Sequence, residues 1–465
     1  MKSTDNPSPS PSSAVHDPMV SEVYEFSTPV DNALSEVEST TDIFCDDELH
    51  DVQPRRVPGC DMLYIPFGRD DRAPYRLVRT AGTDVVLSQN LFFNILTLYG
   101  GGLRYIDRTT GEPTDDPEID DFIQSNSLSE FFLEQCTDIK HYFFTVAVII
   151  LDRDGKKIVQ LRHKDACHCR FEKADGKGRI NHVFVANWHG QGLSKKDVET
   201  VVLLDERNPL GHLEVLMGRR PGADGLTEMR TRRRKFAVVM RFPTPGNRYY
   251  PSPYYMAIFR SDWFDIERLI GAGKKSKIRN SGSVRYHVEI HKDYWPQLMQ
   301  SEGIFDPAAI AARKKKELTN IRNFVTGSRN AGKVWISSYY IDSYGKEQRM
   351  VRINVIDTSK EGGDWSEDIQ ETSNMLCYGL NIHPNLVGAT PGKSQTNNSG
   401  SDKRELFTLK QALETSFRDV LLKVHSLVIR FNGWKPRVYP AVPIVQLTTL
   451  DKHSDAEERT PSPAD

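Results

Sequence analysis

The sequence predicts an α+β fold, and three observations carry that expectation. A strongly apolar run, "FFTVAVIIL" (143–151), leads into hairpin-like segments through residue 185. Two helical patterns, 255–271 and 306–326, enclose a small strand-bearing insert. A third helical pattern opens at Asp402 and repeats apolar residues at steps of three and four as far as Phe431.

The chain of 465 residues has length for two to four domains at about 100–200 residues each. It is 38% hydrophobic and 27% charged, ordinary for a soluble protein that buries a core. The opening "MKSTDNPSPSPSS" has no apolar secretory segment, and 143–151 is too short to cross a bilayer, so no membrane partner is expected. Six scattered cysteines (45, 60, 136, 167, 169, 377) read as reduced thiols. Residues 1–50 carry eleven acidic side chains against one Lys, a net of −10, so a whole-chain charge of −2 leaves +8 on the rest. Such an acidic, Ser/Pro-rich start cannot bury enough apolar surface to fold alone, and 1–60 is expected to be a disordered arm. The tail 451–465 has the same character.

Along the body, 88–98 reads as a helix stopped by glycines 100–102. "RYIDRTTGEP" is a strand turning at Thr110-Gly111. Residues 117–143 read as two helices broken at Asn126-Ser127. A β-meander follows: strand 144–151, a turn at "DRDG", "KKIVQLRH", and a hairpin through Asp175-Gly176. "DRDGK" lacks the further acidic ligands of a calcium loop and is taken as that turn. His163, Cys167, His168, Cys169 and His182 form the one metal-like cluster, but no Cys-x-x-Cys pair accompanies them, so no metal is expected. "RRPGADGLTEMRTRRRKF" (219–236) is the densest basic segment and reads as a solvated loop. The first helix of the excursion places Met256, Phe259, Trp263, Ile266 and Ile270 on one side and is expected to end at Gly271 and Gly273. The insert strand runs from Val284 to Ile290. The second helix starts with Asp306 as N-cap and Pro307 at its first position, and Gly327 stops it. The long helix aligns Leu406, Leu409, Leu413, Phe417, Val420, Val424, Leu427 and Phe431 as a stripe that reads as core packing, on a helix whose length also suits an elongated or oligomeric architecture.

Two stretches come close to a nucleotide phosphate loop. "GSRNAGKV" (327–334) spaces its glycines and Lys333 correctly, but Val334 replaces the hydroxyl, and the stretch follows a helix and precedes a strand. A phosphate loop needs strand, loop, then helix, so that the helix N-terminus faces the anion. "GATPGKS" (388–394) has its first glycine one residue too close, and Lys393 lies well ahead of the next helix. No nucleophile–base set appears either, so neither an enzyme nor a cofactor is expected.

The order of parts, and their local wording, resembles the portal proteins of tailed bacteriophages and prophages, particularly those of Bacteroides-type prophages. The resemblance covers about residues 60–450, and its co-linear order is its specific part. It is carried by "YYPSPYYMAIFRSDWFDI", "IRNSGSVRYHVEI", "KELTNIRNFVTGSRNAGKVWI", "DWSEDIQETSNMLCYGLNIHPNLVGATPG" and "NNSGSDKRELFTLKQALETSFRDVLLKV". Ile382, Pro384, Leu386/Val387 and Gly388 correspond to a portal phrase that precedes a loop and a long helix. The resemblance implies a wing in 61–248, a first stem helix in 249–273, a clip in 274–300 and a second stem helix in 301–327. The wing would resume in 328–435 with a tunnel loop and the long helix, and 436–465 would be a C-terminal segment and tail.

The implied protein is a ring, a dodecamer in this family, at the capsid vertex of the virion, assembled in the bacterial cytoplasm. Double-stranded DNA would pass through it without sequence-specific contact. Its partners would be the terminase large subunit, which supplies the ATPase, the major capsid and scaffolding proteins, and the head-completion adaptor. Arg313, Lys314, Lys315 and Lys316, with Lys274, Lys275 and Lys277, are the candidates for the DNA channel. Lys360, Glu361, Gly362, Gly363 and Asp364 are the first candidate tunnel loop, and 388–402 the second. Arg279, Asn280, Ser281, Arg285 and His287 are the candidates for terminase docking. Arg232–Lys235 would sit in the wing. A nucleotide-driven DNA enzyme and a minor head or adaptor protein are the alternatives. Intact phosphate-loop and Walker-B segments would mark the first, and absence of the helix–insert–helix excursion the second.

Overall fold

The computed structural model describes residues 53–447 and 457–459, apart from 191, 247, 281–285, 292, 327–338, 342–343, 345–346, 356–364 and 388–399. Its main sheet has eight strands: β1 (Arg55–Arg56) and β2 (Leu63–Ile65), then β4 (Phe144–Leu151), β5 (Ile158–Lys164), β6 (Cys169–Glu172), β7 (His182–Val185), β8 (Glu199–Leu203) and β9 (Lys235–Arg241). Their spatial order is β1-β2-β6-β7-β8-β9-β4-β5, antiparallel except for β8 beside β9. β3 (Arg104–Asp107) pairs separately with β14 (Val438–Ala441).

The expected meander is therefore two hairpins, not one. β4–β5 turns at Asp152, whose carboxylate accepts from the Lys156 N–H at 2.6 Å, and β6–β7 turns at Asp175. The two hairpins do not pair with each other: β5 is an edge, while β6 takes β2 as its outer neighbour. β1 also brings Arg55 and Arg56 into the sheet, inside the stretch expected to be the arm.

Both faces of the sheet are covered, which is why its central strands read as unbroken apolar runs. Ala147, Ile149 and Leu151 of β4, with Phe236, Val238 and Met240 of β9, point into one core. Phe144, Val146 and Val148, with Ala237 and Val239, point into the other. Each such side chain, fully buried, stabilises by about 1.5–3 kcal/mol. The helices α1 (Ala73–Ala81) and α2 (Val85–Tyr99) close the second core. The helices α3 (Pro117–Ser125) and α4 (Leu128–Tyr142) close the first. The expected break between the latter pair is real: Asn126 caps α3 and pins it to β5, donating to Val159 O at 3.2 Å and accepting from Leu161 N at 2.8 Å. At the end of α2, Gly100 takes φ +54°, and a Cβ there would lie 2.8 Å from the Arg418 guanidinium.

Beyond the sheet come α5 (Pro209–Leu216), the short α6 (Ala257–Arg260), α7 (Trp263–Asn280), β10 (Tyr286–Ile290), α8 (Tyr294–Ser301) and α9 (Pro307–Thr326). The strands β11 (Tyr339–Ile341), β12 (Glu347–Arg349) and β13 (Val351–Val355) precede α10 (Trp365–Gly379), α11 (Pro384–Val387) and α12 (Gly400–Phe431). At 32 residues α12 is about 48 Å long.

One expectation fails here. The helix expected over 255–271 is broken at Ser261, and its second part runs through Gly271 and Gly273 to Asn280. The expected insert strand is present as β10, within 274–300, and its partner comes from outside the insert: β10 pairs antiparallel with β13, Ile290 opposite Val351, beyond α9 in sequence.

Candidate functional site

The excursion is anchored by a helix pair, but not the pair that the resemblance implies. α7 packs antiparallel along α10 rather than being matched with α9. Two glycines set the approach. A Cβ on Gly273 would lie 2.6 Å from the Trp365 ring, and one on Gly379 would lie 2.5 Å from Ile258 Cγ1. Gly273 thus sits mid-helix to admit a tryptophan, which is why it does not end α7. Phe264, rather than Ile266, is the core side chain of this helix; Ile266 is exposed.

Within this junction Glu267 is an unsatisfied acid. Its Oε2 is buried without a hydrogen-bond partner among the described residues. Burial first, and then the charge of Asp84, push its carboxyl up to about 8. Nearby, Asn90 of α2 donates to Cys377 Sγ of α10 at 3.2 Å, and Asn94 donates to Leu380 O at 3.0 Å, so α2, α7 and α10 meet in one semi-polar seam.

The candidate channel residues fall into distinct environments. Arg313 is committed: its guanidinium grips Glu302 in a fork at 2.7 and 2.8 Å and reaches Glu317 at 2.7 Å, which ties α8 to α9. A cation held this way is not available to a phosphate. Lys314 lies over the Trp295 ring, 5.8 Å from its centroid. Lys315 and Lys316 are exposed on α9, and Lys274 and Lys275 are exposed on α7, beyond the glycines expected to stop it. Lys277, Arg279 and Asn280 also belong to α7 rather than to a loop, and His287 belongs to β10, with side chains outside the described residues. Ser281, Arg285 and the tunnel-loop candidates Lys360, Glu361, Gly362, Gly363 and Asp364 lie outside them, as do 388–399 of the second loop and both Lys333 and Lys393. The α9 helix ends at Thr326, and Asp306 caps its start, accepting from Ala309 N at 2.9 Å.

The metal-like cluster is spent on internal pairing. His163 Nε2 meets Asp138 at 2.7 Å, and His182 Nδ1 meets Glu172 at 2.8 Å. In the basic segment, Arg230 pairs with Asp224, Lys235 reaches Glu199 at 2.7 Å and Arg234 donates to Arg153 O, while Arg232 and Arg233 are exposed.

Sequence reasoning missed the face that α12 buries. Its C-terminal half turns Val424, Leu427 and Phe431 inward as expected. Its stretch from Lys410 to Arg418 buries Lys410, Gln411, Glu414 and Arg418 instead. Glu414 is 1% exposed and lies between Lys140 Nζ at 2.5 Å and Lys410 Nζ at 2.9 Å. Arg418 donates to Gln411 Oε1 at 2.6 Å and to the Thr97 and Leu98 carbonyls at 2.8 and 3.1 Å, satisfying the open end of α2. The consequence lies on the opposite side. Leu409 and Leu413, placed in the core by periodicity, are 58% and 46% exposed. Among the described residues no helix is long and apolar enough to cross a membrane.

No family model and no curated protein matches the sequence. Solved structures do. A chain of the "Virion of native gene transfer agent (GTA) particle" aligns over 86% of this chain and 88% of its own, with a TM-score of 0.50 and 12% identity. A chain of the "Neck of empty GTA particle computed with C6 symmetry" aligns over 83% and 85%, again with a TM-score of 0.50 and 12% identity. A chain of the "Neck of native GTA particle computed with C12 symmetry" aligns over 86% and 88%, with the same TM-score and identity. At that identity the likeness establishes a shared α+β fold over most of both chains.

Proposed function

We propose that this chain is the portal protein of a tailed phage or prophage, a ring at the head vertex through which DNA is packaged and ejected. The observation that carries the reading is the fold likeness to virion and neck chains over 86% of this chain, one of those necks having been computed with C12 symmetry. The α7–α10 pair supports it as the stem, and the excursion between those helices, with its β10–β13 pairing, as the clip. This revises the clip to the whole span from the end of α7 to the start of α10. The sheet and α12 form the wing. Apolar Leu409 and Leu413, exposed among the described residues, are covered by a neighbouring copy, as a heterologous ring contact requires.

DNA in such a channel meets weak phosphate contacts from Lys274, Lys275, Lys315 and Lys316, with Lys277 on the same helix as the first pair, since tight binding would stop translocation. Arg313 and Lys314 serve the α8–α9 packing instead. The terminase large subunit and the head-completion adaptor dock on the clip, around Arg279–Ser281, Arg285 and His287, and the capsid and scaffolding proteins meet the wing. The ring hydrolyses nothing itself.

Electron microscopy of the purified full-length protein, classified in end view, tests the assignment. Closed rings with a central hole wide enough for duplex DNA are expected. A protein that stays monomeric at particle-forming concentrations, with and without scaffold, would overturn it.

A further inference from the structure

A cleft of about 830 Å³ opens between the β6–β7 turn, the end of β8 and the start of α5. Five cations line it: Lys177, Arg179, Arg207, Arg220 and Arg248. All five are exposed, and the first four are in no ion pair with a described residue. Asp205 and Glu206 line the cleft beside them, and Asp175 flanks it. Asp175 accepts from the Lys177 and Arg179 N–H groups, Asp205 accepts from the Arg207 and Asn208 N–H groups, and Glu206 pairs with Arg241. Five cations against two lining carboxylates, one of them already paired with Arg241, leave the cleft a concave surface of net positive charge, and nothing in the channel mechanism employs it.

We propose that this cleft binds the chain's own acidic N-terminal segment, from the same or a neighbouring copy. Charge complementarity carries the choice of occupant: residues 1–50 net −10, and Asp46, Asp47, Glu48 and Asp51 cluster just ahead of β1. Arginine forks match carboxylates in bidentate pairs. Size points the same way. A pocket of roughly 300–1,000 Å³ takes a compact ligand or a short peptide. A nucleic acid instead follows a long basic groove set with stacking aromatics, and no Phe, Tyr or Trp lines this cleft, His212 being its one ring. Reach is ample. β1 and β8 stand four strand spacings apart, about 19 Å. Fifty residues of chain extend to many times that at roughly 3.3 Å each. The docked arm would mask the cleft's charge and, in an assembly, strap one wing to the next. The proposal stands apart from the portal reading.

Carbodiimide cross-linking of the full-length protein, read by mass spectrometry, tests it, because the reagent joins a lysine amine to a carboxylate in contact. The expected product links Lys177 Nζ to an acidic residue among 22–51. Its yield should fall several-fold between about 0.1 M and 1 M salt, as the screening length drops from ~10 to ~3 Å. It should also be lost in Arg179→Glu/Arg207→Glu and, with the folded body untouched, reduced in Asp46→Asn/Asp47→Asn/Glu48→Gln. Arm cross-links that form elsewhere while Lys177 stays unlinked would overturn the proposal. So would a labelled single-stranded oligonucleotide that binds the wild type, loses binding in the arginine double variant and finds no Lys177–arm product to displace.

Discussion

Glu267 shows what one carboxyl gains and loses at a helix junction. Its folded value of about 8 lies well above the ordinary 4.5. The native state therefore holds a proton that the unfolded chain releases, and stability falls as pH rises from about 5 through 8. The thermal midpoint should decline over that window, and Glu267→Gln should remove the decline; an unchanged slope in the variant would assign the effect elsewhere. Gly379 makes the opposite kind of demand. In an open helix Gly→Ala gains up to about 1 kcal/mol, but here the new methyl would meet Ile258, itself buried. Gly379→Ala is expected to cost about 1–3 kcal/mol by overpacking, read from denaturant midpoints. Neither residue announces its role. A glutamate on a helix reads as solvated, and the Gly271/Gly273 pair reads as a terminator, because a sequence does not state which ring will lie against a glycine.

α12 carries apolar residues at helical spacing along its whole length, yet it packs by that stripe only in its C-terminal half. Up to Arg418 the helix lies against Lys140 of α4 and the buried carbonyls at the end of α2, and those groups need charged and amide partners more than methyls. Glu414→Leu would leave Lys140 and Lys410 buried without a counter-charge, a loss of about 3–5 kcal/mol visible in monomer unfolding. Leu409→Asp with Leu413→Asp should leave the monomer's stability nearly unchanged and abolish ring formation, read by mass photometry. Equal effects of the two variants on folding and assembly would contradict the division of faces. The same competition explains the broken meander: the hairpins at Asp152 and Asp175 are local and legible, whereas β6 pairing with β2 is settled by contacts across more than one hundred residues.

On the portal reading proposed above, Leu409 and Leu413, exposed among the described residues, would find their complement in the next copy. A closed ring buries the same patch in every copy. Loss of Leu409 and Leu413 should therefore convert rings to monomers without passing through stable partial rings, which sedimentation velocity would show as a single slow species.

Composition, turn chemistry and periodicity were enough to specify the α+β class, the buried strand 144–151, the Asn126 break, the Asp306 cap and the long final helix. All of these depend on neighbours in sequence or on burial alone. The choice of α10 as the partner of α7, the polar seam under α12, the commitment of Arg313 to Glu302 and Glu317, and the cationic cleft were decided by long-range packing. Each depends on which side chain arrives from a distant segment. A charged or glycine residue has the same letter whether it faces water, a tryptophan or a buried counter-charge.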